Sequence, residues 1–126
     1  MTSLKNQKYK IEKSLIKDAG VLIGAQGRTS GTIQIGKNAR LRSGTVIYEG
    51  VKIGDDFKTG HNAVIRENNT IGNNVVIGVN TYLGPENRIG NNVNIHTNCF
   101  LEMAEIEDNV AFGPHVVLID DPHPKC

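Results

Sequence analysis

The 126-residue sequence repeats with a period of six. Stepping by six from Ile23 gives Ile23, Thr29, Ile35, Leu41, Ile47, Ile53, Thr59, Ile65, Ile71, Ile77, Leu83, Ile89, Ile95 and Leu101, of which twelve of fourteen are Ile or Leu. A step of five then reaches Ile106, and the sixes resume at Phe112 and Leu118. An amphipathic strand places an apolar residue at every second position, so one anchor per hexad fits neither a plain strand nor a helix. The chain must turn once in each hexad. Four positions after the anchor comes a second small or apolar residue, such as Ala39, Phe57, Ala63, Val75, Val93 or Cys99. Three positions after it stand Asn38, Gly44, Gly50, Asp56, Asn62, Asn68, Asn74, Asn80, Asn92, Asn98 and Asn109, residue types that accept a left-handed backbone and make corners.

A longer interval fixes the solid. Ile35-Gly36-Lys37-Asn38, Ile53-Gly54-Asp55-Asp56, Ile71-Gly72-Asn73-Asn74 and Ile89-Gly90-Asn91-Asn92 recur every eighteen residues. Three hexads make one turn of a triangular prism whose coils stack at the strand spacing of about 4.8 Å. From Ile23 onward there is room for about five coils. The fifth signature, Ile106-Glu107-Asp108-Asn109, arrives after seventeen residues, so the corner between Glu102 and Glu105 should be tighter than its neighbours.

Hexads with an Ile or Leu anchor, a following Gly and a small residue at the fifth place resemble the hexapeptide-repeat proteins. That resemblance covers about Ile23 to Leu118 and implies an all-β fold, a single-stranded left-handed parallel β-helix. Residues 1–22, with five lysines and no clean hexads, read as a cap or partial first coil; 23–118 form the helix; and 119–126 begin an excursion loop. Because the pattern stops at Asp120-Asp121-Pro122-His123-Pro124 and the chain at Cys126, the helix is expected to be truncated at its C-terminal end.

Composition excludes several classes. With 14 Lys and Arg against 13 Asp and Glu the formal net charge is +1, which gives no reason to expect nucleic acid. No apolar run reaches the roughly 18 residues of a membrane span, and Met1 to Lys10 has no apolar signal region, so no membrane insertion and a cytoplasmic location are expected. Two cysteines, Cys99 and Cys126, are too few for a disulfide framework and lack CxxC spacing. Cys99 falls on the small inward position and reads as core.

The four histidines are the side chains that titrate near neutrality. Counting by eighteen stacks Asn62, Asn80, Asn98 and, allowing for the shorter interval, His115 on one edge of the prism. Such a stack can be an amide ladder that serves only the scaffold, or a row of polar groups lining a substrate groove between subunits. His115 also reads as a plain turn residue, since His tolerates positive φ. His61 and His96 raise a metal reading, because the γ-class carbonic anhydrases resemble this chain in fold and bind metal through three histidines, the last two five residues apart. Here Leu101 stands five after His96, so no metal is expected.

The stretch Gly113 to Pro124 resembles the end of the hexapeptide region in galactoside and maltose O-acetyltransferases, where a Gly-Pro-Asn corner is followed by a His-Pro whose histidine is the catalytic base. His123 falls on that position. Asp120 and Asp121 before it can orient an imidazole or simply form a turn. Thr59-Gly60-His61-Asn62-Ala63-Val64-Ile65-Arg66-Glu67 and Val75-Val76-Ile77-Gly78-Val79-Asn80 resemble the nucleotide-sugar N-acetyltransferases, in which a corner Asn can hold the acceptor amine. Asn80 falls there, with Val79 where Thr is common. The resemblance implies an acetyltransferase using acetyl-CoA on a sugar hydroxyl or a nucleotide-linked amino sugar, assembled as a homotrimer. His123, Asn80 and His61 are then the catalytic candidates, with Asn62, Asn98, His115, Asp120 and Asp121 as substrate contacts. The alternative is a non-catalytic β-helix serving as a scaffold or interaction module.

Overall fold

In the computed structural model, which describes residues 8–28 and 31–119, the anchors occupy strands of two to four residues. The strands are short because the backbone leaves each ladder at a corner. Twelve non-glycine residues lie at φ between 50° and 66°, and eight of them are Asn. That conformation costs an ordinary side chain roughly 1–2 kcal/mol, and Asn tolerates it best after Gly. The eighteen strands form three parallel sheets, each six strands deep. The first runs from Tyr9–Ile11 to Glu105–Ile106, the second from Ile16–Lys17 to Ala111–Phe112, and the third from Leu22–Ala25 to Val117–Ile119. Register advances by eighteen, as in Ile35 on Ile53, Ile53 on Ile71 and Ile71 on Ile89. The chain is therefore an all-β parallel solenoid. Among the described residues no helix is long and apolar enough to cross a membrane.

The seventeen-residue interval is absorbed where expected. Ile89 pairs with Ile106, and Met103 alone supplies the positive φ at a corner that Pro85 and Glu86 build one coil earlier. The Ala104 N–H donates to the Asn87 side-chain oxygen at 2.9 Å and closes the tightened turn.

Two details differ from the simple count. Tyr9–Ile11 and Ile16–Lys17, in the segment read as a cap or partial coil, pair with Ile33–Ile35 and Arg40–Leu41, so with Leu22–Ala25 they give every sheet an additional strand. Ile11 lies opposite Ile35, an interval of 24 rather than 18. The six extra residues fall between Ile23 and Ile35, which sit on consecutive sheets one corner apart. The anchor expected at Thr29 lies outside the described residues. An insertion of six leaves a six-residue count in phase, which is why counting did not detect it.

Among the described residues the interior holds twenty buried hydrophobic side chains from Ile33 to Ile106. Each fully buried Ile or Leu contributes about 1.5–3 kcal/mol. Where Phe57 fills a small position, the neighbouring anchor is the smaller Thr59, whose hydroxyl lies 2.8 Å from that of Thr45. Cys99 is 2% exposed, with Sγ 3.3 Å from the Gly113 carbonyl oxygen, and belongs to the core.

Candidate functional site

The edge between the second and third sheets collects most of the candidates. Asn62, Asn80, Asn98 and His115 stack there at φ of 61°, 57°, 57° and 63°, and all four side chains are exposed. Their backbone N–H groups donate to the carbonyls of Ser43, His61, Val79 and Thr97 at 2.9–3.0 Å, so the stack is held by main chain. The amide ladder occurs on a different edge, between the first and second sheets. Asn38 donates to Asp56 at 3.3 Å, Asn74 to Asn92 at 2.9 Å and Asn92 to Asn109 at 3.1 Å. Among the described residues no such bond joins Asn62, Asn80 and Asn98, whose carboxamides remain open to a ligand.

His61 is held on the same edge, with Nδ1 2.9 Å from the Ser43 hydroxyl. Ser43 is fixed in turn by its own N–H, which donates to Asp18 Oδ2 at 3.1 Å. With Nδ1 engaged, Nε2 is the ring nitrogen left for proton transfer. His96 is exposed, and its Nδ1 accepts the N–H of Thr97 at 2.9 Å, a local contact. Among the described residues no three His, Cys, Asp or Glu side chains gather as a metal-ligand set. His123, Asp120 and Asp121 lie outside the described residues. The structure thus brings His61, Asn62, Asn80, Asn98 and His115 to one edge and does not locate the other three. Carboxamides repeating at about 4.8 Å, with an imidazole beside them, can bind a polar acceptor and take its proton.

A second feature escaped the sequence reading. Glu49 and Glu67, one coil apart on the edge between the third and first sheets, are each 1% exposed. Glu49 accepts hydrogen bonds from the Tyr9 hydroxyl and, at 3.2 Å, the Gly31 N–H, and pairs with Lys8 at 3.2 Å. The Tyr9 bond, with the Gly31 N–H and Lys8, holds its carboxyl below the ordinary range against the opposing effect of burial. The same contact raises the Tyr9 phenol. At Glu67 burial pushes upward, but its own backbone N–H, the Arg28 N–H and the Arg66 guanidinium outweigh it, and the carboxyl also sits below its usual value. These carboxylates fasten the six-residue insertion: a Cβ on Gly27 would lie 2.7 Å from Glu67 Oε1. The signal available in the sequence was a pair of acids, in Tyr48-Glu49 and Arg66-Glu67, spaced eighteen apart at a corner.

Arg66 also reaches outward. Its Nη1 donates to the Tyr82 hydroxyl at 2.8 Å, and the guanidinium lies 4.4 Å from the centre of the Tyr48 ring. Burial lowers its pKa, while the bonds to Tyr82 and Glu67 more than compensate, so it stays charged. Tyr82 stacks on Phe100 with ring centres 5.2 Å apart.

No protein-family model matches the chain, and no curated protein matches it. Solved structures do. A histidine variant of GDP-perosamine N-acetyltransferase from Caulobacter crescentus, in complex with CoA and GDP-perosamine, is 17% identical over 82% of this chain and 51% of its own, with a TM-score of 0.61. A second histidine variant of perosamine N-acetyltransferase from that organism, with the same ligands, is 16% identical over 87% and 50%, with a TM-score of 0.50. The chain spans about half the length of these structures. At such identity the likeness establishes the architecture: this is a hexapeptide-repeat parallel β-solenoid, the fold it shares with those two N-acetyltransferase structures.

Proposed function

We propose that the protein is an acetyltransferase that moves an acetyl group from acetyl-CoA to the amine of a nucleotide-linked amino sugar, working as a homotrimer. The observation that carries the reading is the edge between the second and third sheets, where Asn62, Asn80 and Asn98 present carboxamides unused by the scaffold beside a tethered His61. The neighbours crystallised with CoA and GDP-perosamine support an amine acceptor. In this chemistry the unprotonated amine attacks the thioester carbonyl, an N–C bond forms, the C–S bond breaks, and the amine proton ends on the coenzyme A thiol. Asn80 holds the amine, and His61 Nε2 relays the proton. Positioning dominates, because a neutral amine is already a good nucleophile. A sugar hydroxyl would need a general base instead, and His123 is the residue that would supply it.

Third-sheet exteriors support the assembly. Leu22, Val46, Val64, Tyr82, Phe100 and Val117 lie in register along its outer face and make a continuous apolar column. A second copy covering that column would bring another chain beside the edge of Asn62, Asn80 and Asn98, which borders the same sheet.

The test is a mass-spectrometric assay of acetyl transfer from acetyl-CoA to nucleotide-linked amino sugars and to free sugars. An N-acetylated nucleotide sugar is the expected product. Asn80→Ala should then lower the rate more than His123→Ala. With a hydroxyl acceptor the order reverses, and His123→Ala costs roughly 10²–10⁴-fold. No product from any acceptor would leave the non-catalytic scaffold as the reading.

A further inference from the structure

Charge is unevenly spread along the solenoid. Between Lys8 and Lys58 ten Lys and Arg stand against five Asp and Glu; from Thr59 to Ile119 two stand against six. The excess is concentrated at one place on the outer face of the second sheet. Arg40 and Lys58 are directly paired across the parallel ladder, and Arg42 projects from the same face two residues beyond Arg40. Like charges directly opposite each other destabilise a sheet. Elsewhere the ladder avoids this: Arg88 lies opposite Glu105, and Lys52 stands between Gln34 and Thr70.

Nothing in the described residues neutralises the three cations, since the ion pairs involve Lys8, Arg28 and Arg66 only. Asp18 lies in register beside Arg42, where its Oδ2 accepts the Ser43 N–H, and it makes no ion pair with any of the three. The remaining outer positions of the sheet, Ile16, Val76, Asn94 and Ala111, carry no charge. An independent observation falls at the same spot. Arg40 Nε is buried and has no hydrogen-bond partner, the one buried side-chain nitrogen or oxygen so left among the described residues. An orphaned charged donor is costly; Nε itself is covered, and an anion over Arg40 and Lys58 would meet the outer Nη groups of the same guanidinium, which no acceptor among the described residues engages.

We propose that Arg40, Arg42 and Lys58 form a binding site for the phosphate or diphosphate group of a small-molecule ligand. Their backbones lie about 5 Å apart across the ladder and about 7 Å apart along the strand, close enough for three long side chains to converge on one such group. An arginine fork suits phosphate oxygens in two-pronged contact, with the lysine as a point charge. The site adjoins Ser43 and His61, but its occupancy does not depend on acetyl transfer and can be measured without it.

Thermal melting and calorimetric titration with inorganic diphosphate at low salt test the proposal. Diphosphate should raise the melting temperature of the wild-type protein and leave the Arg40→Gln/Lys58→Gln double variant unmoved, with affinity falling about tenfold or more per cation removed. Without ligand the double variant should melt no lower than wild type, since the repulsion is relieved. Arg40→Lys should keep part of the affinity. If the double variant does not fold, Arg42→Gln alone gives the same reading. Parallel titrations with a nucleoside diphosphate and with coenzyme A identify the source, the tighter ligand being the one whose phosphates the site holds. An unchanged shift in the variants, no diphosphate binding to wild type, or binding only to DNA or anionic vesicles would overturn the assignment.

Discussion

A glutamate side chain with 1% of its surface exposed is unusual in a prism whose interior is mostly Ile, Leu, Val and Ala, and Glu67 persists because its carboxylate is fully engaged. Arg66 Nε donates to Oε1 at 2.9 Å, and the Arg28 N–H donates to Oε2 at 3.3 Å. Glu67→Gln preserves shape but removes the charge that these donors address, so it should cost about 1–3 kcal/mol at neutral pH. Acid provides the complementary test. Both Glu49 and Glu67 have folded-state values below the ordinary range. Below the unfolded carboxyl value of about 4.3 the unfolded chain therefore binds more protons than the folded one. Stability should be full above that pH and decline as pH falls through the lowered folded values. A series of calorimetric melts between about pH 6 and pH 3 should show this decline in wild type and a shallower one in Glu67→Gln. Equal slopes would mean that Glu67 does not hold the insertion by its charge.

At the scale of the corner, stacking places two distinct demands on the chain. Gly72 must lack a side chain because a Cβ there would come within 2.7 Å of the Gly90 carbonyl oxygen in the next coil. Asn74 must accept φ of 57° and also donates to Asn92. Gly72→Ala should therefore destabilise by overpacking, about 1–3 kcal/mol. Asn74→Gly should cost less than Asn74→Ala, because glycine keeps the left-handed backbone and loses only the ladder bond. Chemical denaturation of the three variants ranks the two demands. The same distinction explains what the sequence could reveal. Inward anchors and left-handed corners recur once per hexad, so the prism, the shortened turn at Met103 and the shared edge of Asn62, Asn80, Asn98 and His115 can be read by counting. Contacts between coils are legible only when the count is carried across eighteen residues, as for Ser43 with His61 or Asn74 with Asn92. The six-residue insertion after Ile23 cannot be found by counting hexads, since it preserves their phase.

For the molecule as a whole, the three outer faces are unlike one another. The first sheet presents Lys10, Gln34, Lys52, Thr70, Arg88 and Glu105, and the second carries the paired cations Arg40 and Lys58. Among the described residues the third sheet alone carries an uncharged, mainly apolar column, from Leu22 to Val117, with Arg66 and Glu102 in the column beside it. Its end members are the most open, with Leu22 at 53% and Val117 at 61% exposure. A contiguous apolar strip on a folded protein marks a surface that another chain covers, and a closed threefold arrangement would bury it on every copy by one repeated contact. Light scattering after size exclusion at micromolar concentration should accordingly give the mass of three chains. Leu22→Glu/Val117→Glu removes apolar surface that the isolated chain leaves in water, so it should not disturb the fold, and circular dichroism should remain that of a β-protein. Each buried aliphatic contact contributes about 1.5–3 kcal/mol to association, enough for the double variant to run as a monomer at the concentration where wild type is assembled. Under the proposed function acetyl transfer should fall with it, because a site shared between subunits needs both chains. A wild-type monomer, or a double variant that stays trimeric, would remove the third sheet from the interface and with it the intersubunit site.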